Sequence, residues 1–585
     1  MWGLLLPALP AAAGELTRQQ IYEKQIIEQT LAELGLEADG HPAGKVIERV
    51  VVARHPIIEP SDPWPGFLNL FHLVTREHVI RRELLFAAGQ PYDENRVRES
   101  ARILRALPMV FAVVRIVTAR ASRPDRVVVV VITKDLWSLR LNSQFSIGGG
   151  VFNYLSLMPT EQNFLGLAQR LSLYTFIDRD TYSLGEIYTI PRLLGSRLQV
   201  SESLHARLNH HSGELEGGFG GVSLSRPLFS LATEWGFALG GWFDIGTRRS
   251  YQGVNLRQFC LEDNGQQQCL PWLWQSRAFE GWAQAVRSWG RLHKLNLLLG
   301  YAIRSVTYNL PATEEAIPAE LERQFRSQVM PQDEQATELL ASVSYFQARY
   351  ARLHNVQSYG LTEDFRLGPS ASAQLALAHP ALGPGFERRS LRLGLALGWN
   401  LLLGTQDILA VNLSGSARWW PDHGIIEARQ SGSNWVDRLL QFSVENVSPP
   451  LLGLGRLLVR LHYAYSQYST TASRFYLGGD NTLRGFVSGY LSGQRLLNIN
   501  VEFRTLPIVL WTLHWGLVLF YDGGDAYDFG PENDFAYHQS LGLGIRGLFP
   551  QFDIEALRLD IGIPLGRDFN DRFIDWITVS YRQAF

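Results

Sequence analysis

From Leu139 onward, apolar and polar residues alternate with a period of two. Within 138–147 the odd positions hold Leu139, Leu141, Phe145 and Ile147, and the even ones Arg140, Asn142, Gln144 and Ser146. Leu391, Leu393, Leu395 and Leu397 alternate in the same way with Arg392, Gly394, Ala396 and Gly398. Leu457, Val459, Leu461, Tyr463 and Tyr465 alternate with Arg460, His462 and Ala464. Leu497, Ile499, Val501 and Phe503 do so with Asn498, Asn500, Glu502 and Arg504, and Leu557, Leu559, Ile561 and Ile563 with Arg558, Asp560 and Gly562. Successive side chains of a strand point to opposite faces, so each run is a strand with one apolar and one polar face. Runs of about ten such residues are the signature of a transmembrane antiparallel β-barrel.

A soluble β-sandwich also alternates, because one of its faces packs on a core. Three features favour the barrel. The alternation persists from 136 to 585 without a blade-like repeat; Trp419, Trp420, Trp511, Trp515 and Trp576 lie near strand ends; and long polar connections such as 311–335 separate short turns. At about 28 residues per strand and connection, 136–585 predicts about 16 strands, an even number as a single-chain bacterial barrel requires.

The chain before this region has another pattern. Val46 to Val52 read as a strand, Thr75 as a helix cap, and Val79, Ile80, Leu84 and Leu85 lie at helical spacing. Gly89-Gln90-Pro91-Tyr92 turns the chain, Asp93 caps a second helix with Val97, Ala101 and Leu104 on its buried face, and 110–117 and 126–133 read as strands. The order β-α-α-β-β predicts a small α+β domain over 45–135. Residues 14–44 carry a modest helical pattern (Ile21, Ile26, Ile27, Leu31, Leu34) with no assignable role. Residues 1–13 read as a signal peptide, with Ala11-Ala12-Ala13 as the cleavage site, although no Lys or Arg precedes the apolar run.

Composition narrows the function. A net charge of −2 gives no basic excess for nucleic acid. Hydrophobic residues make up 46%, yet no run reaches the roughly 18 apolar residues of a membrane-spanning helix. The longest, 508–521, is broken by Thr512, His514 and Gly516. Cys260 and Cys269 flank a polar stretch; two free thiols or a short disulfide-closed loop both fit, the latter in an oxidising compartment. Gly542-Leu543-Gly544-Ile545-Arg546-Gly547 satisfies G-x-G-x-x-G but lies inside an alternating strand with no following helix, so it is no nucleotide site. His210-His211 has no partners at metal spacing, and neither G-x-S-x-G nor a Ser/His/Asp set is evident. The sequence thus points to no catalytic residue, no metal and no cofactor.

Residues 475–486 run Phe-Tyr-Leu-Gly-Gly-Asp-Asn-Thr-Leu-Arg-Gly-Phe. Leu483-Arg484-Gly485-Phe486 resembles the Arg-Gly-Phe signature of the BamA/TamA-type outer-membrane assembly and two-partner-secretion transporter superfamily. Phe520-Tyr521-Asp522-Gly523-Gly524 matches that family's Phe-x-Asp-x-Gly strand pattern, Glu502 takes its acidic strand position, and 45–135, with Gly89-Gln90-Pro91-Tyr92, resembles a single POTRA domain. The resemblance implies an extracellular loop folded back into the barrel, a periplasmic POTRA-like domain, and a seam between the first and last strands. It also implies outer-membrane protein insertion or polypeptide translocation without nucleotide hydrolysis. The partners implied are outer-membrane lipids, unfolded outer-membrane or secreted polypeptides, and periplasmic proteins bound through the POTRA-like domain. The terminal segment, with Ile577, Val579, Tyr581 and Phe585 on one face, matches the aromatic-ended signal that barrel proteins present to their assembly machinery.

The alternation itself places Glu502 with Asn498 and Asn500, and Phe520 with Asp522 and Gly524, on the polar face. A guanidinium has five planar donors and can bridge two carboxylates, so Arg484 is expected to pin its loop to Glu502 and Asp522, with Gly485 allowing close backbone approach. In a partly dehydrated interior, removing one member of such a network costs on the order of 3–5 kcal/mol.

Overall fold

A computed structural model describes residues 18–59, 66–107, 111–148, 151–252, 255–263, 266–311, 317–354, 356, 362–383, 389–471, 474–479, 483–486, 489–510, 513–528, 535–548, 556–566 and 577–581. Residues 1–13, Trp511, Trp576 and Phe585 lie outside them. The chain divides into two compact units, Met1–Leu136 and Trp137–Phe585.

In the first unit, α1 (Arg18–Glu33), β1 (Val46–His55), α2 (Glu77–Arg81), α3 (Glu94–Arg105), β2 (Phe111–Arg120) and β3 (Arg126–Asp135) follow in order. The sheet runs β1-β3-β2, with β1 parallel and β2 antiparallel to β3. The unbroken apolar run Val127 to Ile132 occupies the central strand and is buried throughout, as a strand covered on both faces requires. On one face Val128, Val130 and Ile132 pack with Val113 and with Ile26 and Leu31 of α1. The helix left without a role by the sequence is therefore part of this core. Polar contacts hold it there: Glu23 pairs with Arg115, Lys134 bonds Tyr22, and Thr30 Oγ1 lies 2.9 Å from His55 Nε2. Helices α2 and α3 bury Val79, Ile80, Val97 and Leu104.

Asp93 caps α3, accepting from the N–H groups of Asn95 (2.9 Å) and Arg96 (3.4 Å). Thr75 is not the expected cap. The N-cap of α2 is Arg76, with no side-chain capping bond. Thr75 instead donates its N–H and hydroxyl to Asp135 at 2.7 and 2.9 Å, where His72 Nε2 also bonds at 2.9 Å. A buried carboxylate outcompetes the helix end for these donors. Residues 37–39 lie along the end of β2: Asp39 donates to the Thr118 carbonyl (2.9 Å), and Arg120 donates to that of Glu37 (2.8 Å).

The second unit is one large antiparallel sheet. Its order passes through twenty-two described strand segments, and the short last strand, Ile577–Tyr581, is neighbour to the first, Leu139–Gly148. Arg349–His354 continues Glu334–Gln347 along the same partner, and Ile508–Leu510 continues Arg495–Thr505, so the described arms number twenty. This exceeds the sixteen expected. The average of about 28 residues per strand overestimated the connections, since several arms are joined by turns of two to four residues, as between Phe164 and Gln169 and between Asp178 and Thr181.

Burial in this sheet is inverted relative to a soluble protein. In Leu513–Tyr527, Leu517 and Leu519 are each 56% exposed, whereas Val518, Phe520 and Asp522 are buried. In Leu557–Leu565 the leucines and isoleucines at 557–563 are exposed and Arg558 and Asp560 are fully buried. A continuous exposed apolar face of this kind marks contact with something other than water.

Between strands, Cys260 and Cys269 form a disulfide across the hairpin Gln258–Asp263/Gln266–Pro271. The connection after Asn309 is not merely polar loop: it contains the helix Ala319–Gln328, whose Leu321 and Phe325 pack with Leu270. Trp420 directly follows the strand Asp407–Trp419, at a strand end as expected. It is buried with Ala428 and Val436, and the Arg418 guanidinium lies 4.2 Å from its ring centre.

Candidate functional site

Four neighbouring strands, Arg495–Thr505, Leu513–Tyr527, His538–Leu548 and Leu557–Leu565, pair in that order. Their alternation turns Glu502, Asp522, Arg546, Arg558 and Asp560 to the buried face, each 0% exposed. The described loop residues Leu483 to Phe486 lie against this face, where Arg484 is 1% exposed.

Arg484 meets three carboxylates. Its Nε donates to Asp522 Oδ2 at 2.6 Å and its Nη2 to Asp522 Oδ1 at 2.8 Å, the bidentate geometry that a planar guanidinium favours. Its Nη1 donates to Glu502 Oε2 at 3.3 Å and Asp560 Oδ2 at 3.1 Å, and its own backbone N–H to Asp522 Oδ2 at 3.1 Å. Asn500 Nδ2 adds a bond to Asp522 Oδ1 at 2.8 Å. The guanidinium also lies 3.4 Å from the ring centre of Phe520.

Asp560, Arg504, Arg546 and Arg558 are members that the family motifs do not contain. Arg546 Nη1 donates to Asp560 Oδ1 at 2.5 Å and Arg558 Nε to Asp560 Oδ2 at 2.6 Å. Arg504 Nε donates to Glu502 Oε1 at 2.9 Å. The signal for them was the alternation itself: Arg504, Arg546, Arg558 and Asp560 occupy the same parity as their strand's buried positions, and charges forced together inside must pair.

Small residues make the seat. Phe520 lies over Gly542, where any Cβ would collide with its ring. A Cβ on Gly544 would occupy the space in which Arg546 meets Asp560. These are two of the three glycines of the false nucleotide motif. Gly485, at φ +90°, rests on the backbone of Gly562; a Cβ on Gly485 would approach the Gly562 carbonyl to 2.7 Å, and one on Gly562 the Gly485 nitrogen to 2.7 Å. Leu483 and Phe486 are buried with Leu477, Ala464, Leu496 and Ala526, so an apolar contact flanks the ionic one. Gly524 pairs opposite Asn498, with no room for a side chain over Leu497.

The remaining sequence-predicted residues lie elsewhere. Cys260 and Cys269 bridge their own hairpin, and Tyr581 ends the last described strand. Among the described residues no cluster of His, Cys, Asp or Glu could hold a metal ion, and no helix is long and apolar enough to cross a membrane.

Residues 454–580, which contain every strand of this site, match the Omp85 superfamily domain. No curated protein matches the chain in sequence. Among solved structures, the chain is similar to BamA from Haemophilus ducreyi lacking POTRA domains 1–3, at 13% identity over 97% of this chain and 93% of that one, with a TM-score of 0.33. It is also similar to CdiB from Escherichia coli, at 11% identity over 92% and 76%, with a TM-score of 0.44.

Proposed function

We propose that this chain is an outer-membrane β-barrel that inserts or translocates polypeptides through a gated wall, with 45–135 as a POTRA-like periplasmic domain. The observation that carries the reading is Arg484, buried against carboxylates from three strands. A loop held inside by such a network obstructs a passive pore and has a defined state to leave.

The exposed apolar face supports the membrane. Leaving a leucine in water forgoes roughly 2 kcal/mol, and dozens of large apolar side chains are exposed on these strands. A lipid solvent removes that cost and closes the sheet, since a membrane tolerates no open edge. An even number of arms lets the first and last strands meet antiparallel. In the periplasm the sheet edge of the small domain offers main-chain hydrogen bonds to extended clients by strand addition, and no nucleotide is hydrolysed.

The test compares outer-membrane and secreted proteomes of a strain lacking the gene, complemented with wild type or with Arg484→Ala. Loss of defined clients, not restored by the variant although it inserts normally, is expected. Unchanged proteomes would reject the reading in favour of a pore or a structural barrel, which single-channel conductance with and without residues 475–486 would separate.

A further inference from the structure

The two ends of the large sheet are finished with different chemistry. The first strand, Leu139–Gly148, enters at one end, so the turns after Val151–Phe164, Thr181–Ile190, Leu273–Trp289, Ser390–Leu403 and Trp435–Val447 all lie there. These turns carry or adjoin exposed leucines: Leu165, Leu194, Leu292, Leu403, and the group Leu451, Leu452 and Leu454, with Leu194 98% and Leu452 94% exposed. The turns Arg179-Asp180 and His210-His211-Ser212-Gly213-Glu214, at the opposite end, contain no apolar residue. Three of the leucines also occupy the left-handed region directly before a glycine: Leu165 (φ +59°), Leu194 (φ +50°) and Leu452 (φ +51°). A bulky side chain is disfavoured in that conformation, and Asn, Asp or Gly ordinarily fill such turns. In water a leucine there gains nothing, so its recurrence on separate turns points to a surface that takes it up.

We propose that these turns form an interfacial ring that seats in the headgroup region of a phospholipid leaflet. Trp235 and Trp289, exposed at the same end, mark the level: the Arg287 guanidinium lies 4.7 and 5.8 Å from their ring centres, and tryptophan sits at the headgroup boundary of a bilayer. Leu292 follows Trp289 by three residues, beyond the aromatic girdle that bounds the apolar band of a barrel. The leucine-bearing turns lie in both halves of the sheet order, after Leu273–Trp289, Ser390–Leu403 and Trp435–Val447 and again after Val151–Phe164 and Thr181–Ile190. A protein partner covers one sector of such a rim, whereas a leaflet surrounds it on every side. Arg197, whose guanidinium lies 4.3 Å from the Phe229 ring centre, and the exposed Arg291 put cations beside the leucines, where lipid phosphates lie. Seated in this way, the ring fixes the depth at which the barrel floats. The inference rests on the reading of the sheet as a membrane barrel.

Four variants test it, each with one added thiol for a fluorophore and the native disulfide intact: Leu194→Cys and Leu452→Cys on the ring, His211→Cys at the opposite end, and Leu299→Cys on the exposed apolar face. Full-length protein is placed in nanodiscs of phosphatidylethanolamine and phosphatidylglycerol that carry a nitroxide either on the headgroup or deep in the acyl chain. The headgroup nitroxide is expected to quench the labels at 194 and 452 about twofold and the label at 211 far less, while the deep nitroxide quenches the label at 299. Unquenched labels at 194 and 452, with 299 still quenched, overturn the ring and leave the barrel intact. Loss of quenching at 299 as well overturns the membrane reading itself. Equal quenching at 211 overturns the ring, because turns of both chemistries then meet lipid alike. Shielding at 194 and 452 that appears only when an unfolded outer-membrane polypeptide is added overturns the lipid in favour of a client. Leu194 and Leu452 lie on separate turns, so if one variant fails to fold, the other decides on the same criteria.

Discussion

The Phe520 ring edge fills the space beside Gly542 that a side chain at that position would need. The ring in turn carries the Arg484 guanidinium at 3.4 Å. A cation over an aromatic face is worth about 2 kcal/mol when desolvated, and an added branched side chain in a packed site costs typically 1–3 kcal/mol. Gly542→Val is therefore expected to lift Phe520 and weaken loop docking without touching any ionic partner. Limited proteolysis of residues 475–490 in the folded barrel would show it; wild-type resistance would mean that the stack contributes nothing.

Arg484 reaches Asp522 with two side-chain bonds and Glu502 with a single one at 3.3 Å. Glu502 keeps Arg504 when the Arg484 side chain is absent, whereas Asp522 keeps two uncharged donors, the Asn500 amide and the backbone N–H of residue 484. A double-mutant cycle should accordingly give a larger coupling for Arg484 with Asp522, on the order of 3 kcal/mol, than with Glu502, about 1 kcal/mol. Denaturant unfolding in micelles measures both. Equal couplings would show that the network acts as one diffuse charge cloud.

In the first unit, Asp135 gathers His72, the Thr75 hydroxyl and the Thr75 N–H on one buried oxygen. Asp135→Ala removes the buried acceptor that these donors share and should cost about 3 kcal/mol. The effect should be confined to 18–136, read as faster protease cleavage there while the strands of the large sheet remain protected.

The hydrogen bond from Lys45 Nζ, reinforced by the His41 N–H, holds the Asp39 carboxyl below its ordinary value. A carboxylate whose folded pKa is depressed stabilises the fold fully above its unfolded pKa and loses that contribution as pH falls through the folded value. Docking of the 37–39 segment should thus hold at neutral pH and weaken below about pH 4. Exchange of the Asp39 amide against pH, compared with Asp39→Asn, checks this; an identical profile in the variant would exclude Asp39 as the cause.

The strands and the buried polar face could be read from sequence because their cause is local: the period of two follows from the pleat. Glu502 and Asp522 were readable for the same reason, and Arg484 through its motif. Asp560 was visible as a charge on the inward parity, but nothing local says that a residue 76 positions after Arg484 shares its guanidinium. The roles of Gly542, Gly544 and Gly562 were hidden because what they admit comes from another strand or from the loop. Thr75 misled because a cap and a buried carboxylate compete for the same donors, and only tertiary structure decides between them. Helix α1 had a weak pattern since it buries one narrow stripe, and the arm count was misjudged because turn lengths are not periodic.

The segment 37–39 has a metrical consequence for β2. Its contacts reach Thr118 to Arg120, leaving 111–117 as the remaining outer edge, about 23 Å at 3.3 Å per residue. A client adding a strand there would meet a built-in stop, so the domain would measure as well as hold: affinity in a length series of extended peptides should rise up to about seven residues and then level off. If affinity keeps climbing with longer peptides, the stop is absent or is pushed aside.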